Sequence, residues 1–186
     1  MVNKTTIWTF LEPLLYKEDF IHLAEISKRL NKNHSVTRQY LNFFEKQGLL
    51  IKKIKGRLTM YKINPDFSLI VDYISLIEKE RLIRKCQRDL LIKEIVNFLD
   101  NTLNENNKAL IFGSSVEDSK KPNDIDILIT GKFNEDRTNQ FEKKFNVKFH
   151  IINVKNLNSV NESLRKEVIK KHLIVQGVEN IVKWLI

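Results

Sequence analysis

Hydrophobic positions fall in two rhythms along this chain, a helical one and an alternating or continuous one, and the rhythm changes several times. A first helix is expected over roughly Thr5 to Leu15, with Pro13 near its end. Leu23, Ile26 and Leu30 then recur at helical spacing, and the run stops in the polar "NKNH". Ser35 stands where an N-cap belongs, ahead of a second helix with Val36, Tyr40, Leu41 and Phe44 on one side and Gly48 as its stop. "LLIKKIK" and "LTMYKIN", separated by Gly56-Arg57, predict two short strands around a tight turn. From Phe67 to Leu103 there is neither proline nor glycine. Two apolar stripes there (Leu69, Ile70, Tyr73, Ile74, Ile77; Leu90, Leu91, Ile95, Phe98, Leu99) predict one long helix, or two broken near residues 80–88. "KALIF", "DIDILIT" and "VKFHIINV" then predict three strands, "NESLRKEVIKKHL" a helix, and the tail with Trp184 a closing core helix.

This order places the chain in the α+β class with two domains and a connector: residues 1–66, a helical connector over 67–87, and 88–186 as a mixed sheet with flanking helices. At 42% hydrophobic with few glycines and prolines, the chain has the composition of a folded protein and not of a disordered one. No apolar stretch has the length of a membrane span, and the first twenty residues lack a signal-peptide core, so a cytoplasmic location without membrane contact is expected. Cys86, the one cysteine, excludes an intrachain disulfide and a thiolate metal cluster, and reads as a small buried or half-buried helix residue.

Charge adds a partner. The net charge is +9, and residues 1–65 carry 12 Lys and Arg against 5 Asp and Glu. Surplus positive charge in one short domain is what a polyanion requires. Helix, helix-turn-helix and basic hairpin over residues 5–65, with Gly48 and the "YKINPD" ending, resemble the winged helix-turn-helix domain of prokaryotic transcription regulators. That resemblance implies double-stranded DNA as partner, the second helix of the pair entering the major groove. Ser35, Thr37, Arg38, Gln39 and Asn42 would then contact bases or phosphates, and Lys52, Lys53, Lys55 and Arg57 would position the backbone in a salt-dependent way. Phe43 and Phe44 read as core and His34 as a turn residue. Regulators of this kind often pair through a following helix, so the connector is a candidate homodimer element.

Asp124 and Asp126 stand at alternate positions at the mouth of an apolar strand, hence on one face, where like charges repel unless a cation joins them. Strand, Gly113-Ser114 turn, Asp-x-Asp strand and third strand over residues 88–186 resemble the minimal nucleotidyltransferase domain of the polymerase-beta-like superfamily. The resemblance implies Asp124 and Asp126 as magnesium ligands (manganese as the softer alternative), a nucleoside triphosphate as ligand, and Gly113, Ser114 and Ser115 on its phosphates. It also departs from the pattern. Nine residues separate Ser114 from Asp124 where ten are common, the loop carries Glu117 and Asp118 in place of Arg-Gly, and His150 stands where a third carboxylate is expected. His150 is then a general base, a ligand for a softer metal, or the mark of a domain that binds nucleotide without transferring it. His22 and His172 read as ordinary helix-face residues.

Two functions follow as expectations. One is a DNA-binding transcription regulator with a nucleotide-binding, nucleotidyltransferase-like domain. The other is a magnesium-dependent enzyme passing a nucleoside monophosphate to a hydroxyl of a protein or small-molecule acceptor. In it Asp124, Asp126 and His150 are the catalytic residues.

Overall fold

The computed structural model describes residues 6–116, 124–133 and 137–186. It is an α+β protein that divides into two compact units, Met1–Ile77 and Glu78–Ile186.

In the first unit a 3-10 helix, Ile7–Leu14, holds Pro13 within it and buries Phe10, Leu11 and Leu14. A two-residue strand β1 (Ile21–His22) leads into α1 (Leu23–Leu30), so His22 precedes the helix rather than lying on its face. Helix α2 (His34–Lys46) is capped by Asn33, whose side chain accepts from the Ser35 backbone N–H at 2.9 Å. The cap therefore lies two residues before the expected Ser35, because asparagine offers the same short acceptor as serine and gets there first. Leu41 and Phe44 are buried, whereas Phe43, expected in the core, is 48% exposed and Val36 is exposed too. Gly48, at φ +82°, turns the chain out of α2. β2 (Leu50–Lys55) and β3 (Leu58–Ile63) pair antiparallel with Lys55 opposite Leu58, leaving Gly56-Arg57 as a two-residue turn, and β1 joins the other edge of β3. Gly56 at φ +58° supplies the positive φ that such a tight hairpin needs at its first position.

Helix α3 (Ile70–Arg88) is followed by α4 (Leu90–Thr102) after a break at Asp89, whose carboxylate caps α4 through the Ile92 N–H at 3.2 Å. Leu69, Leu76, Ile83 and Leu90, each seven residues from the next, are all exposed.

The second unit is built on a four-stranded sheet in the order β6-β5-β4-β7: β4 (Lys108–Phe112), β5 (Asp124–Thr130), β6 (Lys148–Val154) and β7 (His172–Gln176). β5 and β6 run parallel; β4 is antiparallel to both β5 and β7. Ile111, Ile125, Ile127 and Ile129 of the sheet pack with Ile92, Ile95 and Leu99 of α4 in one apolar core. α5 (Thr138–Phe145), α6 (Glu162–Lys170) and α7 (Val178–Leu185) complete the unit. His172, expected on a helix, opens β7 instead and is buried. Its Nδ1 lies 2.6 Å from the Val168 carbonyl, and its Nε2 lies 3.5 Å from the carboxylate of Glu78, which is itself held by two hydrogen bonds from Arg81. Among the described residues no helix is long and apolar enough to cross a membrane.

Candidate functional site

The sheet of the second unit brings the aspartates to the Gly-Ser turn. Phe112, the last residue of β4, pairs with Asp126, so the chain leaves β4 beside that carboxylate. It does so through a short 3-10 turn, Gly113–Val116, that opens with Gly113 at φ +74°. A Cβ at Gly113 would stand 2.8 Å from Oδ2 of Asp126, closer than nonbonded atoms sit. Glycine is thus needed twice here, for its backbone angle and for the approach of the carboxylate. Asp124, at the start of the same strand, is exposed, and Asp126 is partly covered.

From the other side β6 presents His150. The register sets Asp126 opposite His150, and His150 Nδ1 lies 3.1 Å from Asp126 Oδ1 while the imidazole stays exposed. The position expected to hold a third carboxylate therefore meets Asp126 as a hydrogen-bond partner. Among the described residues no group of three His, Cys, Asp or Glu side chains converges as a ligand set. Two carboxylates on one strand face nonetheless fit a magnesium ion, which takes oxygen ligands and commonly draws the rest of its shell from water and substrate phosphate.

The turn's serines divide. Ser114 is exposed and lines a cleft of about 530 Å³ with Gly113 and residues of α6 and the segment after it: Ser163, Lys166, Glu167, Lys170 and Lys171. Ser115 is buried, its hydroxyl donating to the Phe112 carbonyl at 2.9 Å, so it shapes the turn and does not face the cleft. Three lysines against one glutamate make the cleft basic. Sequence reasoning missed them, although the 163, 166, 167, 170 spacing does put those residues on one helical face. What brings that face to the turn is tertiary: the Gly113 N–H donates to the Lys171 carbonyl at 3.2 Å. Glu117 and Asp118 lie outside the described residues.

In the first unit the outward side of α2 and the β2–β3 hairpin hold the remaining candidates. Ser35, Arg38 and Gln39 are exposed, as are Lys53, Lys55 and Arg57. Thr37 corrects the expectation: it is fully buried and its hydroxyl donates back to the Asn33 carbonyl at 3.0 Å, the bond a threonine in a first helical turn readily makes. Asn42 is half-buried, and its side-chain oxygen accepts from Lys52 Nζ at 2.9 Å and from the Tyr61 hydroxyl at 2.8 Å. Asn42 and Lys52 therefore tie the helix to the hairpin. Burial pushes the Tyr61 phenol above its ordinary value, with Arg38 drawing it partly back. Lys53 reaches over the Phe20 ring at 5.7 Å, which leaves Lys55 and Arg57 at the tip of the hairpin.

Compared with known proteins, the chain matches no family model, no curated protein and no solved structure.

Proposed function

We propose that this protein is a DNA-binding regulator whose second unit binds a nucleoside triphosphate, the first unit acting as a winged helix-turn-helix and the second as a nucleotidyltransferase-like domain. The observation that carries the nucleotide reading is that Gly113, which lines a basic cleft, is also the residue that Asp126 approaches. Backbone free of a side chain, an exposed serine hydroxyl and three lysines suit phosphate oxygens, while a carboxylate pair suits the cation that accompanies them. Asp124 and Asp126 would hold magnesium, which supplies charge neutralisation to the phosphates when bound. Lys166, Lys170 and Lys171 would draw the phosphate chain along α6. In the first unit, Ser35, Arg38 and Gln39 on α2, with Lys55 and Arg57 at the hairpin tip, form the DNA-contacting set in this reading, supported by their exposure. If nucleotide alters DNA affinity, DNA must alter nucleotide affinity by the same factor. A second copy of the chain would pair along α3 through Leu76 and Ile83, which are exposed and seven residues apart on that helix.

The second reading, transfer, is favoured by the Asp126–His150 pair. With Nδ1 turned to Asp126, the other ring nitrogen of the exposed His150 is available to accept a proton. An acceptor hydroxyl would lose its proton to that nitrogen as its oxygen bonds to the α-phosphorus, and pyrophosphate would leave with the electrons of the broken bond.

Both readings are tested with nucleoside triphosphates labelled at the α-phosphate, in magnesium and then manganese. The protein is incubated alone and with cell extract, beside the Asp124→Asn, Asp126→Asn variant, and duplex binding is measured on the same preparation. Retained nucleotide and tight duplex binding without transfer support the regulator. Label on an acceptor that depends on the aspartates makes the protein a transferase. Neither retained nucleotide nor duplex binding overturns both.

A further inference from the structure

A second cleft lies at the far end of the same sheet. It is lined by the turn before β4, the end of β5, the segment after β6 and α7, and has a volume of about 430 Å³. Asp126 and Thr130 are four strand residues apart, roughly 13 Å along β5, so this cleft and the Gly113–Asp126 turn lie towards opposite ends of that strand.

Its chemistry is one-sided. Lys108, Lys155 and Lys183 line it, and among the described residues no lining side chain carries a negative charge. Lys108 Nζ donates to the Asn106 carbonyl at 2.6 Å and so belongs to the wall. Lys155 and Lys183 are exposed and make no ion pair among the described residues. Asparagine side chains, Asn156 and Asn180 among them, add both donors and acceptors, and Trp184 adds a half-exposed aromatic plane.

The walls are fixed from behind. Asn107, 3% exposed, donates its amide to the carbonyls of Thr130 at 2.6 Å and Lys132 at 3.0 Å and accepts from the Asn104 N–H, locking the turn before β4 to the end of β5. Arg165 donates twice to the Trp184 carbonyl and stands 5.9 Å over the indole, so the ring is held before any ligand arrives. A preformed cleft near the small end of the range for ligand pockets, with cations, amides and an aromatic plane, matches a single nucleotide unit: phosphate for the lysines, base edge for the amides, base face for the indole.

We infer that this cleft is a second nucleotide-binding site, separate from the Gly113–Asp126 turn, in which Lys155 and Lys183 take the phosphate and Trp184 stacks the base. The nucleotide is either free or one unit of a single strand.

Tryptophan fluorescence tests it. The chain has two tryptophans, so Trp8→Phe leaves Trp184 as the only reporter. This variant is titrated, without divalent cation, with a nucleoside monophosphate, with a short single-stranded oligonucleotide and with inorganic phosphate. Wild-type protein is followed in parallel by equilibrium dialysis with labelled nucleotide, in case Trp8→Phe disturbs the first unit. A saturable fluorescence change with the nucleotide, at least tenfold tighter than phosphate, is expected. Lys155→Gln with Lys183→Gln weakens the binding that Trp184 reports about tenfold or more. Tighter binding of the oligonucleotide than of the monophosphate identifies a strand as the source; the reverse identifies free nucleotide. Binding that survives loss of both lysines overturns the assignment, as does an affinity no better than that for phosphate.

Discussion

Gly113 and Asp126 are so placed that no other residue type can stand at position 113 without moving the carboxylate: a Cβ there would lie 2.8 Å from Oδ2. The two residues belong to different strand ends, and the pairing of Phe112 with Asp126 brings them together. Gly113→Ala has two expected effects. The alanine is held at a positive φ, costing about 1–2 kcal/mol of stability, and Asp126 must turn aside. Since that oxygen is the free end of a side chain, the fold survives. On the proposed reading, magnesium-dependent nucleotide binding is lost well beyond what the small fall in melting temperature explains, a contrast that calorimetry of binding and of unfolding on one preparation reveals.

Asn42 joins α2 to the hairpin by accepting from both Lys52 and Tyr61. Asn42→Ala leaves the buried Tyr61 hydroxyl without that acceptor, which costs about 1–3 kcal/mol. The expected signature is a lower unfolding midpoint in urea. A variant that keeps its stability but loses DNA binding would instead mean that Asn42 meets the duplex directly.

Arg38 and Arg57 are exposed and belong to α2 and the hairpin tip. On the proposed reading each neutralises a phosphate, so replacing both with alanine lowers the steepness of log affinity against log salt by about 2 and weakens binding to unrelated duplexes alike. Fluorescence anisotropy across a salt series measures both quantities. An unchanged slope would remove these arginines from the interface.

The contrast between these sites shows what a sequence discloses here. The "KALIF" and "DIDILIT" strands were legible because continuous apolar runs bounded by polar residues have few other uses, and the hairpin because Gly56-Arg57 sits between two alternating segments. The Asp126–Gly113 approach and the basic face of α6 were not, since both depend on which strands pair and where a helix returns. His172 went astray for a local reason. "EVIKKHL" keeps helical spacing through residue 173, while the structure ends α6 at Lys170 and uses His172 to Gln176 as an edge strand. Phe43 had the opposite fate: helical periodicity placed it near the core stripe, but Leu41 and Phe44 fill that side and leave Phe43 outward.

Cys86 offers a check on pH. Burial raises its thiol above the ordinary value, and the nearby Asp89 carboxylate raises it further. The folded protein therefore holds the proton more tightly than the unfolded chain does. Its contribution to stability is complete below the ordinary thiol range and is lost as pH rises through the raised value. Alkylation at about pH 8, just below the ordinary thiol range, is expected to be slower than that of a free cysteine and to accelerate on unfolding. A folded-state rate equal to that of the free thiol would contradict the shielding.

Glu78 has a side chain with no exposure at all, and Arg81 and His172 are among the groups that make it tolerable: Arg81 donates to both oxygens, at 2.8 and 2.9 Å, and His172 lies 3.5 Å away. A carboxylate taken from water is costly unless its oxygens are satisfied, and here they are. Removing it leaves Arg81 without its paired acceptor and the buried imidazole facing a cavity, so Glu78→Ala is expected to cost about 3–5 kcal/mol. Glu78→Gln separates charge from packing, because it keeps the shape and one acceptor oxygen. If the charge is what matters, glutamine loses a large part of the same stability; if packing dominates, it loses little. His172 pairs with Phe112, the residue before Gly113, so the lesion lies close to the Gly113 turn. Chemical denaturation should therefore register both substitutions fully. Duplex affinity of the folded fraction should stay at the wild-type value, because none of the proposed DNA contacts lies in this unit.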